Sequence, residues 1–186
     1  MRSDAARRRE MIILHARHVF AERGGDVALE AVAAASGVGI ATLYRNFPSR
    51  GDLVRAVIED MVREILAGVA QARDAVEQDP AAAWAELLAK LMDMELGALT
   101  DSLGLVAGSE PDKAPLAHVQ QPALDALDEL LAVLEGRKAV RKGITALGVV
   151  VAVATMTRPQ VTAIREAAPD VPGQLAEAYL MWSRAR

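Results

Sequence analysis

No cysteine occurs in the 186 residues, which excludes a disulfide framework, a thiolate zinc site and a cysteine nucleophile together. Aromatic residues are scarce too, at 3%. The core must therefore be filled by the alanine, leucine and valine that dominate the apolar half of the composition, and these favour helices packed through their ridges over aromatic-rich sheets. No alternating strand pattern of useful length is present, and no Gly-x-Ser-x-Gly elbow, phosphate-cradling glycine loop or metal triad. An enzyme, a metal and a cofactor are accordingly not expected. Long apolar runs are missing as well. The longest uncharged stretch lies between Lys142 and Arg158, and as helix it reaches only about 22 Å against a ~30 Å hydrocarbon core. At the amino terminus Ile12, Ile13 and Leu14 run straight into His15 and Arg17, which does not suit a signal peptide. A cytoplasmic protein with no membrane partner is expected.

What is present is unevenly charged. Residues 1–50 hold eight arginines against five acids, while residues 51–186 hold thirteen basic against twenty acidic residues. A net of +3 on the head and −7 on the body suggests that only the head approaches a polyanion.

Helical periodicity is nearly continuous, and the fold class is all-α. The first helix is expected from about Asp4 to Glu22, with Ile12, Ile13, Ala16, Val19 and Phe20 on one face and Gly24-Gly25 ending it. A short helix comes next, from Leu29 to Ala35, stopped at Gly37, where a left-handed residue is cheapest. A third covers Ile40 to Asn46. After Pro48, Ser49 and Asp52 have the spacing of a reciprocal cap on a long helix striped by Leu53, Val57, Met61, Ile65 and Val69. Asp79-Pro80 opens the next helix, with an acid at the cap and proline in the first turn. Gly108 to Pro115 reads as a mobile loop. A further helix runs through Leu124, Leu127, Leu131 and Leu134 to Gly136. An apolar helix then ends at Thr157 before Pro159, and a last one begins near Asp170.

Leu29 to Asn46 is the informative stretch. Two short helices joined by a tight glycine turn must cross closely, and Ala33, four residues before Gly37, supplies the small side chain needed there. Val32, Val38, Leu43 and Phe47 supply a small core. This is a helix-turn-helix pattern, whose second helix lies in the major groove with its amino-terminal residues at the base edges. The same spacing also occurs in ordinary helical hairpins.

The runs Phe20 to Gly24, Leu29 to Ala33 and Ser36 to Arg50, with Thr42-Leu43-Tyr44-Arg45-Asn46-Phe47 at their centre and Leu53 beyond, strongly resemble the tetracycline-repressor (TetR) family over about the first 58 residues. The resemblance implies a helix-turn-helix DNA-binding domain at 1–50 and a roughly six-helix effector-binding and dimerisation bundle at 51–186. It implies phosphate contacts from Tyr44, Asn46 and Arg50, flanking phosphates for Arg7, Arg8 and Arg9, and Thr42 close to backbone or base. Gly39, Ile40, Ala41 and Arg45 would meet base edges. Phosphate contacts set register and base contacts set sequence. Ile40 and Ala41 suit thymine methyl groups. Two positions depart from the family's usual pattern: Ala28 stands where a phosphate-binding, helix-capping threonine or serine is common, and Asn46 where histidine is commoner.

The expected protein is thus a ligand-responsive transcriptional regulator that binds a palindromic double-stranded operator as a homodimer and is released by a small molecule. By resemblance, the helices at about 141–157 and 170–184 form the dimer interface. Met61, Trp84, Leu88, Met92, His118 and Gln121 are candidates for an effector pocket, which should prefer a mostly apolar, neutral or cationic molecule. Two rival classes are a small-molecule-binding or enzymatic bundle with a merely structural head, and a sequence-indifferent nucleoid or scaffolding protein. Weaker signals favour plain readings. His15 and His18 have ligand spacing but no third ligand nearby; Asp93 and Glu95 cannot face one way on a helix; and the basic stretch 137–142 serves helix ends.

Overall fold

The computed structural model describes residues 2–24, 26–103 and 114–185. These form α1 (Arg2–Arg23), α2 (Leu29–Ala35), α3 (Ile40–Asn46), α4 (Arg50–Ala75), α5 (Pro80–Asp93), α6 (Leu96–Leu103), α7 (Ala114–Gly136), α8 (Ala146–Met156), α9 (Thr162–Ala167) and α10 (Val171–Ser183). Among the described residues there is no strand, only an isolated antiparallel bridge between Val140 and Arg184. None of the helices is long and apolar enough to cross a membrane.

The chain divides into two compact units: Met1–Met61 with Ala98–Gln120, and Val62–Gly97 with Gln121–Arg186. In the first, Ile12, Ile13, Ala16, Val19 and Phe20 of α1 are buried, as are Leu29, Val32 and Ala33 of α2, Leu43 and Phe47 around α3, and Leu53, Ala56, Val57, Ile58 and Met61 of α4. The helix caps read from the sequence are formed. Ser49 N–H donates to Asp52 Oδ2 (3.0 Å) and Asp52 N–H to Ser49 Oγ (3.1 Å), so each residue satisfies an orphan donor of the other at the start of α4.

In the second unit, the Asp79 carboxylate accepts from the N–H groups of Ala81 and Ala82 (3.0 and 2.9 Å), and Pro80 occupies the first turn, where it has no N–H to orphan. The core there is aliphatic around one indole: Ala83, Trp84, Leu87, Leu88 and Leu91 of α5, Leu127, Leu130, Leu131 and Leu134 of α7, and Ala146, Val149, Val153 and Ala154 of α8. The start of α8 is held twice, by Asp128 Oδ1 accepting from Ala146 N–H (2.6 Å) and by Thr145 Oγ1 accepting from Gly148 N–H (3.1 Å).

Several elements differ from the sequence-based expectation. Of the loop expected at Gly108 to Pro115, residues 108–113 lie outside the described ones, while Ala114 and Pro115 begin α7, where proline suits a first helical turn. The helix α6 is an addition to the expected elements. Glu95 adopts a left-handed φ of 52° and interrupts the helical course after α5, so the eight residues of α6 carry no long periodic pattern of their own. At Gly97 the backbone meets that of α8 directly: its N–H donates to Thr157 Oγ1 (2.8 Å), and a Cβ there would collide with the carbonyl oxygen of Ala154. Only glycine fits that approach. The six residues of α9, between Pro159 and Pro169, are too few to show a period. Finally, α7 ends through a reverse turn centred on Lys138 rather than a glycine. Lys138 has φ 57°, its N–H donates to Glu135 O (2.9 Å), and the Ala139 N–H donates to Leu134 O (2.9 Å), the bond pattern of a Schellman closure.

Candidate nucleic-acid interface

The geometry of α2 and α3 is set by one turn. Gly37 sits at φ 65° with no heavy atom near where a Cβ would be. Its N–H donates to Ala34 O (3.1 Å) and the Val38 N–H to Ala33 O (3.0 Å), so α2 closes by the same Schellman pattern, here on the residue that adopts it without strain. The chain then re-enters helix at once. Gly39 is the N-cap of α3, and its carbonyl accepts from the N–H groups of Thr42 (2.8 Å) and Leu43 (3.1 Å). Ala28, the N-cap of α2, makes no side-chain cap bond, as the absence of a hydroxyl there requires.

Burial divides α3 into two faces. Leu43 and, just beyond, Phe47 are in the core, while Ala41, Tyr44 and Arg45 are exposed and Ile40, Thr42 and Asn46 half-buried. Tyr44 keeps 46% of its surface accessible, unusual for an aromatic ring in a chain with so few. The Arg45 side chain lies back along its own helix, with Nε donating to Ala41 O (3.2 Å) and Nη2 to Thr42 Oγ1 (2.8 Å). Asn46 Nδ2 donates to Thr42 O (2.8 Å), which leaves its second amide proton for another acceptor.

Arg7, Arg8 and Arg9 are exposed on α1. Arg9 is also placed over the Phe47 ring, 4.9 Å from its centroid, so α1 and the end of α3 share a cation–π contact. Arg50 is half-buried: it donates to the carbonyl of Val27 and lies 6.0 Å from the Phe20 ring centroid. It therefore braces the start of α4 to the α1–α2 connection. Neither aromatic partner is legible from sequence spacing, because both contacts join residues more than twenty positions apart.

The effector-pocket candidates fall in both units. Met61 and His118 belong to the first, Trp84, Leu88, Met92 and Gln121 to the second. Trp84 is fully buried, and its Nε1 donates to Ser183 Oγ (2.8 Å). The indole is thus packed within the core of the second unit. Leu88 is buried, Met92 half-buried, His118 exposed, and Gln121 is exposed with its amide on Asp125 (2.7 Å). His18 Nε2 lies 3.2 Å from Glu22 Oε1, and among the described residues no three histidine, aspartate or glutamate side chains gather as a metal site would need. In the basic stretch, Arg137 pairs with Glu77 and Arg141 stacks 4.7 Å over the ring of Trp182.

On the helices at the carboxy-terminal end, apolar side chains stand in water. Leu147 (58% accessible) and Val151 are one turn apart on α8, and Val171, Leu175, Met181 (67%) and Trp182 (52%) lie along α10, with Val161 and Ile164 between them. The Tyr179 ring packs against Trp182 at 5.4 Å, and burial raises its phenol above the usual tyrosine pKa.

Residues 12–57 match the family described as bacterial regulatory proteins, tetR family. No curated protein matches the chain in sequence. Among solved structures, the chain is similar to a TetR transcriptional regulator from Streptomyces coelicolor, at 28% identity over 95% of this chain and 98% of that one, TM-score 0.63. It shares the fold of the TetR-like transcriptional regulator LfrR from Mycobacterium smegmatis in complex with proflavine (24% identity, 95% and 93% covered, TM-score 0.66). It also shares that of the fatty acid degradation regulator FadR from Bacillus halodurans (18%, 96% and 97%, TM-score 0.66).

Proposed function

We propose that the chain is a TetR-type transcriptional repressor that binds a palindromic operator as a homodimer and is released by a small-molecule effector; residues 12–57 match the tetR family, and the chain has the fold of solved TetR regulators along its length. The observation that carries this reading is the α2–Gly37–α3 unit, which turns Ala41, Tyr44 and Arg45 outward while Leu43 and Phe47 anchor the helix from behind.

In this reading α3 enters the major groove. Tyr44, Asn46 and Arg50 contact phosphates, with Arg7, Arg8 and Arg9 on the flanks, and Gly39, Ile40, Ala41 and Arg45 meet the bases. Arg50 combines a phosphate contact with its brace to Val27. The domain at residues 1–50 reads DNA, and residues 51–186 sense and dimerise. The exposed apolar side chains of α8 and α10 support a dimer face at about 141–157 and 170–184, since so much accessible aliphatic and indole surface in one region is what association removes from water.

An effector bound among aliphatic helices, on a body of net charge −7, should be mostly apolar and neutral or cationic. LfrR, which has the same fold, holds proflavine. The candidates for contact are Met61, Trp84, Leu88, Met92, His118 and Gln121. The effector must prefer one of two dimer geometries, because equal affinity for both shifts nothing.

The test is binding of the full chain to a random duplex over a range of salt concentrations. A DNA-binding dimer shows affinity falling steeply and log-linearly with salt, by about one unit of slope for each phosphate neutralised. A flat profile, or no binding at low salt, would refute the reading in favour of a helical bundle with a structural head.

A further inference from the structure

The hydrogen bonds along α3 leave one edge of a guanidinium open, and from them we infer that Thr42 is a positioning residue for sequence choice, holding Arg45 ready to read a guanine. The inference rests on the reading of α3 as the helix in the major groove and names what it recognises there.

Arg45 is the single cationic side chain of α3, and it is exposed. Its Nε donates to Ala41 O (3.2 Å) and its Nη2 to Thr42 Oγ1 (2.8 Å). Nε and Nη2 lie on the same long edge of the planar guanidinium, so the helix itself takes up that edge. Five N–H donors are present in a fixed fork. The terminal edge, carrying one Nη1 proton and the second Nη2 proton, makes no hydrogen bond to any described residue, and no described carboxylate pairs with Arg45. A long side chain that would otherwise sample many rotamers is held by two bonds, with a free pair of parallel N–H groups at its end.

Thr42 is well placed to do the holding. Its N–H is bonded to Gly39 O (2.8 Å) and its carbonyl accepts from Asn46 Nδ2 (2.8 Å), so the residue is fixed at the amino-terminal turn of α3 before its hydroxyl is used. The open edge of Arg45 needs two adjacent acceptors in a plane. In the major groove guanine alone offers them, as O6 and N7, whereas adenine opposes the second N–H with its own N6 donor. Thr42 then contributes to specificity through Arg45, without touching a base.

The experiment selects duplexes from a random pool with the full-length protein. It then measures the affinity of wild type, Thr42→Val, Thr42→Ser, Arg45→Ala and the Thr42→Val/Arg45→Ala pair for the selected duplex and for versions carrying each base at the guanine position. Valine has the shape of threonine without the acceptor, and serine keeps the acceptor. Urea unfolding of each variant confirms the fold. Wild type should prefer guanine at one position per half-site by about 5- to 150-fold. Arg45→Ala should abolish the preference. Thr42→Val should lose about fivefold or more of it, a larger loss than any it shows on random duplex, and Thr42→Ser should stay within about twofold of wild type. The double variant should discriminate no worse than Arg45→Ala alone.

The inference is overturned if Thr42→Val keeps the wild-type guanine ratio, or weakens all duplexes alike with a shallower salt slope, which would place the hydroxyl on a phosphate. A selected half-site without a guanine sensitive to Arg45 overturns it equally. Absence of any salt-dependent duplex binding by wild type is a different result, and removes the DNA-reading function together with this inference.

Discussion

The indole N–H of Trp84 donates to the hydroxyl of Ser183 at 2.8 Å, joining the middle of α5 to the last residue of α10 in full burial. Ser183 passes the connection on. Its Oγ donates to Leu180 O (2.8 Å), and its carbonyl accepts from the Arg141 N–H (2.7 Å). The only buried polar residue among the described ones therefore fastens the helices of the proposed dimer region to the core of the second unit.

Ser183→Ala should leave the indole N–H with no acceptor in a dry site, at a cost of about 1–3 kcal/mol. Urea unfolding followed by circular dichroism measures it. The tryptophan environments give a second readout: Trp84 should be shielded from a neutral quencher and Trp182 accessible in any monomer. Unchanged stability in the variant would mean that the bond does not form in solution.

The Schellman closures at Gly37 and Lys138 make opposite forecasts. Gly37→Ala places a Cβ in a left-handed conformation that meets no atom but carries an intrinsic cost of about 1–2 kcal/mol, and should destabilise the chain by that amount. Lys138 already bears the same cost, so Lys138→Gly should stabilise by up to about 1 kcal/mol after the greater entropy of unfolded glycine is subtracted. Thermal melts of the two variants should move in opposite directions.

Arg50 combines a brace with a proposed phosphate contact, and substitution separates them. Arg50→Ala should lower stability by about 1–2 kcal/mol through loss of the charged bond to Val27. It should weaken all duplexes alike, with the salt slope shallower by about one unit per half-site. Arg50→Lys keeps the charge and should keep the slope, while losing part of the brace. A shallower slope in the lysine variant would show that the guanidinium geometry, not its charge, meets the DNA.

Val151 is exposed on α8 at 42%, so Val151→Asp should leave the monomer folded. Association would bury an unpaired carboxylate at a cost of several kcal/mol, and sedimentation should show the wild type as a dimer and the variant as a monomer at micromolar concentration. A wild-type monomer at that concentration would refute the dimer face.

Local chemistry made much of the fold legible. The bounds of α2 and α3 are set by Gly37 and by the apolar positions Leu29, Val32, Leu43 and Phe47. The starts of α4 and α5 are set by Ser49–Asp52 and by Asp79–Pro80, where the signal lies within four residues. The features that could not be read depend on tertiary partners. Gly97 is a glycine because α8 passes across it, and Arg50 is held by a carbonyl on a loop twenty-three residues away. The closing of α7 at Lys138 breaks the preference for glycine and so leaves no trace in the composition. The candidate DNA-facing residues, on α1, α3 and the start of α4, were named through the family resemblance, whereas a pocket drawn from several helices depends on tertiary neighbours, such as the Ser183 hydroxyl beside Trp84, that no local spacing shows.

The most direct test of the central claim is to recover duplexes bound by the full-length protein from a random pool and to sequence them. The account predicts one enriched inverted repeat whose half-site centres lie about one helical turn apart, roughly 34–36 Å, or a multiple of it, as two recognition helices related by a two-fold axis require. Enrichment of no sequence, or of a motif without inverted symmetry, would contradict it.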